Sequence, residues 1–133
     1  MTVTPIPIST VNFAGANRLR VLVVEDDRST ARSMRMLLEY HGYIVDVAGT
    51  IAEAMQRVGE ATYTVALLDL MLPDGHGCEI FDWLRDNSPS TQVTILTGCA
   101  DVRINELLKS IDPEAVMKKP VDFCRILERI CAA

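Results

Sequence analysis

Apolar residues in this chain fall into short dense runs that alternate with stretches of helical spacing. The runs at 20–25, 43–47, 65–69, 92–97 and 115–118 are short, with β-branched residues prominent in most, and they predict strands. Val21-Leu22-Val23-Val24 and Val65-Ala66-Leu67-Leu68 contain no polar position at all. Runs of that kind belong to strands buried on both faces, as in parallel sheets covered by helices. Between them the spacing predicts helices at about 28–40, 50–60, 77–87, 102–110 and 122–131. In the first, Met34, Leu37 and Leu38 recur at helical spacing, Arg28, Arg32, Arg35 and Glu39 fill other positions, and His41-Gly42 stops it. Thr50-Ile51-Ala52-Glu53 has the capping-box pattern, and Asp122 suits the N-cap of the last helix. Trp83 shares its helix pattern with Ile80, Phe81 and Leu84, which predicts a core or partly buried position.

Five strands alternating with five helices predict an α/β fold with a doubly wound parallel sheet, because parallel crossovers are right-handed and usually helical. Residues 1–18 hold Pro5, Pro7 and several Ser and Thr without periodicity, so an irregular leader is expected before one domain at 19–133. A chain of 133 residues can bury one core without disulfides.

Charge and composition remove some function classes. The net charge is −5, whereas a phosphate-backbone binder normally shows a basic patch, so direct nucleic-acid contact is not expected. No apolar run approaches the roughly 18 residues that span a bilayer, and no basic segment leads into a long apolar stretch at the start. Cys78, Cys99, Cys124 and Cys131 show no CxxC spacing and read as reduced thiols. A cytoplasmic protein without a membrane partner is the expectation.

Candidate chemistry lies where the two most apolar strands end, at Glu25-Asp26-Asp27 and at Asp69. If both strands are parallel neighbours, these acids converge at the edge where open α/β sheets place their ligands. Clustered carboxylates repel, and a hard ion such as Mg²⁺, which prefers oxygen ligands, is the natural counter-charge. Asp69 closes a wholly apolar strand and would be costly there without a cationic partner. Lys118 and Lys119 are candidates for that partner, while Thr97, with Thr94 as a weaker claimant, can bring a hydroxyl to the same edge.

Four motifs, Val23-Val24-Glu25-Asp26-Asp27, Leu67-Leu68-Asp69-Leu70-Met71-Leu72-Pro73-Asp74-Gly75, Leu96-Thr97-Gly98 and Lys119-Pro120, stand in order at fitting spacing. Together they resemble the receiver domain of two-component response regulators over roughly residues 19–131. The resemblance implies a flavodoxin-like (βα)5 three-layer sandwich with parallel strand order 2-1-3-4-5. It implies that Asp69 takes a phosphoryl group from a phosphohistidine on a sensor histidine kinase or histidine phosphotransfer protein, a carboxylate acting as nucleophile in a signalling switch. Asp26 and Asp69 would ligate Mg²⁺ with the Met71 backbone carbonyl, and Glu25 would reach it through a water, leaving Asp27 to cap the first helix. Lys119 is preferred to Lys118 because the family's lysine directly precedes proline, and Thr97 would meet a phosphoryl oxygen. The domain would act as a monomer or weak dimer on an unknown output protein, or relay the group to another histidine. The pattern fits a free-standing regulator and an excised domain equally.

Some positions depart from the family. Val116 stands where an aromatic residue commonly couples to the threonine, and Ser110-Ile111-Asp112-Pro113-Glu114 replaces the usual small turn, so an altered output face is expected. Gly98, where alanine is common, suggests extra room at the site. By the resemblance, Met71 and Cys99 would flank the approach of water, and neither can position it well, which predicts slow self-hydrolysis of a phospho-form. His41, at a helix end, is expected to meet carbonyl dipoles, and His76 to have a structural or solvent role. Two other readings were weighed. A haloacid-dehalogenase-type phosphatase would need an acid where Met71 stands, and a non-phosphorylated receiver-like module is favoured only by Val116. A P-loop hydrolase lacks its GxxxxGK[ST] motif.

Overall fold

The computed structural model describes residues 19–98, 116–119 and 122–131. In chain order the elements are β1 (Arg20–Val24), α1 (Arg28–Tyr40), β2 (Ile44–Ala48), α2 (Ile51–Glu60), β3 (Val65–Asp69), β4 (Met71–Leu72), β5 (Gly75–His76), α3 (Cys78–Asn87), β6 (Gln92–Thr97), β7 (Val116–Lys118) and α4 (Phe123–Cys131). The leader at 1–18, the helix predicted at 102–110, Cys99, the segment 110–114 and Pro120 lie outside the described residues.

Five strands form one parallel sheet in the order β2-β1-β3-β6-β7. Counting only these five, this is the flavodoxin-like order 2-1-3-4-5 implied above. The two strands without a polar position lie side by side in its middle, where helices must cover both faces. Alternation then divides each strand between two cores. Leu22, Val24, Ala66 and Leu68 face α2 and α3 and pack with Ala54, Val58, Ile80 and Leu84. Val21, Val23, Val65 and Leu67 face α1 and α4 and pack with Met34, Leu38, Ile126 and Ile130. Burial of each large side chain is worth roughly 1.5–3 kcal/mol, so these two layers supply the main driving force of the fold. Trp83 packs partly buried against the first core.

The ends of elements follow local hydrogen bonding. The Asp27 carboxylate caps α1 through the Thr30 amide, Thr50 Oγ1 caps α2 through the Glu53 amide at 3.1 Å, and Asp122 Oδ1 accepts from the Cys124 amide at 3.0 Å at the start of α4. Because Thr50 and Asp122 serve as caps, α2 and α4 begin one residue later than predicted. Strand β2 also starts later, at Ile44, since the Tyr43 amide is still bonded to the Leu38 carbonyl at the exit of α1. His41 is the C-cap of α1. Its backbone amide meets the carbonyls of Leu37 and Leu38, while the exposed imidazole stacks edge-on against Tyr40.

One element was missed by the sequence reading. The short antiparallel hairpin β4–β5 pairs Met71 with His76 and Leu72 with Gly75, directly after Asp69.

Candidate functional site

Parallel pairing delivers the ends of β1, β3 and β6 to one edge of the sheet. Val24 pairs with Leu68 and Asp69 with Leu96, so Glu25, Asp69 and Thr97 emerge together, 2%, 5% and 6% exposed. Strand β7 pairs Lys118 with Thr97, and the Lys119 amide bonds the Thr97 carbonyl at 2.8 Å. Lys118 stays exposed, whereas the Lys119 side chain turns to the acids.

The Lys119 ammonium donates to Glu25 Oε1 at 2.8 Å and to Asp69 Oδ2 at 2.9 Å. The other oxygen of each acid is also engaged, Glu25 Oε2 with the Asp27 amide at 3.2 Å and Asp69 Oδ1 with the Met71 amide at 2.9 Å. Burial pushes the Glu25 carboxyl above its ordinary range, against the lowering pull of Lys119. Partial burial alone would lower the Lys119 pKa, but the hydrogen bonds and charges of Asp69 and Glu25 outweigh it and raise it. Asp26 is exposed and makes no side-chain hydrogen bond or ion pair among the described residues.

Oxygens of Glu25, Asp26 and Asp69 lie within 4.8 Å of one another. With three acids and one lysine, the cluster carries an excess of negative charge. Its donors are all hard oxygens, which suit a divalent ion of the Mg²⁺ or Ca²⁺ type and not a soft metal. Beside the acids a cleft of about 540 Å³ runs between α1 and α2, lined among others by Asp26, Arg28, Arg32, Gly49 and Pro73.

Gly98 and Val116 complete the edge. A Cβ on Gly98 would stand 3.3 Å from Lys119 Cβ, so the space at Gly98 is filled by the lysine stem; this corrects the expectation of extra room. Val116 opens β7 opposite Ile95 and is half-buried.

Two contacts of the hairpin escaped the sequence reading. A Cβ on Gly77 would lie 2.6 Å from the Asp69 carbonyl oxygen, a clash only glycine avoids, and the Gly77 amide bonds the Leu70 carbonyl at 2.8 Å. Asp74 reaches α2 instead of the acids, accepting from the amides of Ile51 and Ala52. The Gly77 contact has a sequence signal, a second glycine two residues after Gly75 in the loop behind the acid.

A parallel five-stranded sheet with acids and a lysine meeting at the carboxyl ends of its strands defines a flavodoxin-like α/β switch domain. A family model of the response regulator receiver domain matches residues 21–131, and the chain belongs to that family. It is 33% identical over 113 residues to the uncharacterized transcriptional regulatory protein YkoG of Bacillus subtilis (strain 168), covering 85% of this chain and 50% of that one. Among solved structures, the CheY-like receiver domain protein of Methanospirillum hungatei JF-1 matches at TM-score 0.78 and 28% identity over 87% of this chain and 93% of its own. The beryllofluoride-activated NtrC4 receiver domain dimer matches at TM-score 0.73 and 35% identity, over 85% and 93%. The chain spans about half the length of the first curated relatives it matches. Among the described residues no helix is long and apolar enough to cross a membrane.

Proposed function

We propose that the domain is a phosphoryl-accepting switch with Asp69 as the acceptor. The observation that carries this reading is the Lys119 ammonium held between two buried carboxylates while the neighbouring Asp26 is unpaired among the described residues. The Asp69 carboxylate forms a bond to phosphorus as the bond from phosphorus to a donor imidazole nitrogen breaks, and the imidazole leaves with that electron pair. Lys119 moves from pairing two acids to balancing the added charge, about −1.5 to −2 for a phosphoryl group. Thr97, buried at the end of β6, offers its hydroxyl to a phosphoryl oxygen.

Asp26, Asp69 and the Met71 carbonyl would hold Mg²⁺. Glu25, with an oxygen on Lys119 and another on the Asp27 amide, would reach it through water. Bound there, the ion supplies charge neutralisation for the transferring oxygens.

The donor is a sensor histidine kinase or a histidine phosphotransfer protein, and the cleft beside Asp26 leaves its imidazole an approach. The output is a change in protein contacts, made on an output partner or on further chain, since the matched segment makes up only about half of relatives named as transcriptional regulators. A similar domain forms a dimer when activated by beryllofluoride, which favours weak self-association of the phosphorylated form here too. Because Met71 cannot position water, the phospho-form persists; a half-life of seconds without a phosphatase would contradict this.

The test is acetyl phosphate with Mg²⁺ followed by intact mass. The wild-type chain should gain one phosphoryl group and Asp69→Asn none. An unmodified wild type, or an equally modified variant, sinks the reading.

A further inference from the structure

Asp74 stands outside every role assigned above. It occupies the tip of the β4–β5 hairpin, and its side chain reaches back 23 positions in sequence to α2. Its Oδ1 accepts from the Ile51 amide at 2.8 Å and its Oδ2 from the Ala52 amide at 3.1 Å. These are the first two amides of α2, which a helix start leaves without intrahelical partners. The next free amide, on Glu53, is bonded by Thr50 Oγ1, and Glu53 Oε1 accepts from the Gly49 amide at 2.7 Å. The helix is therefore capped twice, once by its own residues and once by the hairpin.

The contact extends to the backbone. Gly75 has φ +144°, and a Cβ there would stand 3.1 Å from Ile51 Cδ1, so the hairpin tip rests on the first residue of α2. The backbone amide bonds hold the Asp74 carboxyl below its ordinary range, in keeping with a charged cap. At its other end the hairpin is tied to the acid itself, by the Met71 amide on Asp69 Oδ1 and by Gly77 packed on the Asp69 carbonyl. The segment from Met71 to Gly77 is thus fixed at the acid and at α2, with the Asp74 side chain hydrogen-bonded across to α2.

We propose that Asp74 is a positioning residue for the phosphoryl site: by clamping the hairpin tip to the start of α2 it holds the Met71 segment in place and sets divalent-cation affinity and phosphorylation rate. The proposal rests on the reading of Asp69 as acceptor and of Met71 as a carbonyl ligand. Coupling of this kind is reciprocal, so an ion at the acids also steadies the first turn of α2.

The test uses the full chain with Asp74→Ala, Asp74→Asn and Thr50→Ala. Three quantities are read: Mg²⁺ affinity by calorimetry, phosphorylation rate with acetyl phosphate, and hydrogen exchange of the Ile51 and Ala52 amides with and without Mg²⁺. Asp74→Ala should weaken Mg²⁺ binding about tenfold, the lower range for residues that orient ligands, and slow phosphorylation in step. Asp74→Asn, which keeps one carbonyl acceptor, should fall between. Thr50→Ala removes a cap from the same helix without touching the hairpin and should keep wild-type affinity. Mg²⁺ should slow exchange at Ile51 and Ala52 in the wild type and not in Asp74→Ala.

A folded Asp74→Ala with unchanged Mg²⁺ affinity overturns the clamp, and so does an equal loss in Thr50→Ala, which would trace the effect to helix stability. If Asp74→Ala does not fold, Asp74→Asn decides by the same criteria. A wild type that takes no phosphoryl group sinks the reading of Asp69 and the clamp with it, whereas a phosphorylated wild type beside an indifferent Asp74→Ala sinks the clamp alone.

Discussion

The sheet carries an ionic cluster near each end, and the two are built on opposite principles. At the carboxyl end Lys119 pairs with Glu25 and Asp69 while Asp26 adds a third acid beside them, so among the described residues negative charge exceeds what the cluster balances. Near the amino end a single acid, Asp46 on β2, receives the Tyr63 hydroxyl at 2.7 Å and Arg20 Nε at 3.2 Å, with Arg57 at 3.9 Å. Arg20 also lies over the Tyr63 ring, 6.0 Å from its centroid. In the amino-end cluster the acid is outnumbered by its cationic partners, so no negative charge is left unpaired. The carboxyl-end cluster is unbalanced, which costs stability and, on the function proposed above, serves an added ion and a transferred group. Stability sacrificed at a functional edge and recovered elsewhere is the usual trade between activity and fold.

The largest effect that separates the two ends is on chemistry. Lys119→Met removes the cation that faces both Asp69 and Glu25, and the phosphorylation rate with acetyl phosphate should fall about 10²-fold or more. Removal of Arg57 from the other cluster should leave that rate unchanged. Equal losses in the two variants would erase the distinction between a working end and a structural one.

Next comes stability. Asp46→Ala leaves the hydroxyl of Tyr63, a residue only 2% exposed, without its acceptor and frees both guanidiniums. The cost should be about 2 kcal/mol in chemical denaturation, with phosphorylation by acetyl phosphate intact. Asp26→Asn should act with the opposite sign. It breaks no hydrogen bond or ion pair among the described residues and relieves repulsion, so without Mg²⁺ the melting temperature should rise by a few degrees. The stabilisation that wild type gains from Mg²⁺ should be lost in the same variant. A destabilised Asp26→Asn would mean the carboxyl end is balanced after all.

How legible each end is from sequence follows from how far apart its residues lie in the chain and whether a strand end marks them. The acids stand out because an apolar run stops at each, and the preference for Lys119 over Lys118 follows from the proline after it. In the structure Lys118 sits in the ladder opposite Thr97, so only the next residue can turn to the acids. β1 and β3 were visible because burial on both faces leaves Val21–Val24 and Val65–Leu68 without a polar position, and β2, β6 and β7 because short apolar, mostly β-branched runs adjoin Asp46, Thr94 and Lys118. The β4–β5 hairpin was not, since strands of two residues show no period. Asp46, Tyr63 and Arg20 read separately as an acid, an aromatic and a base, separated by 17 and 26 positions, and only the sheet brings them together. The Asp74 contact is hidden for the same reason, because backbone amides carry no sequence signature.

The smallest effect is the share of the pH dependence that Asp46 contributes at the amino end. Burial alone would raise the Asp46 carboxyl, but the bonds from Tyr63 and Arg20, and then the charges of Arg20 and Arg57, outweigh it and hold the pKa below its ordinary value of 3.8. A pKa lower in the folded than in the unfolded chain means that the unfolded chain binds the proton more tightly. The stability from Asp46 is therefore fully present above the ordinary value and is lost as pH falls through the folded one. Tyr63 does not oppose this trend, since burial and then Asp46 keep its hydroxyl protonated well above the ordinary tyrosine range. Asp27 and Asp74 are also lowered, by their bonds to Thr30 and to the start of α2, and they add acid lability that any single variant retains. Melting temperature followed downward from about pH 5 should thus fall more steeply in wild type than in Asp46→Asn, which keeps the residual slope of the other two acids. Parallel curves for the two proteins would mean that Asp46 titrates as an ordinary surface acid, and the amino-end cluster would lose its claim to be the satisfied member of the pair.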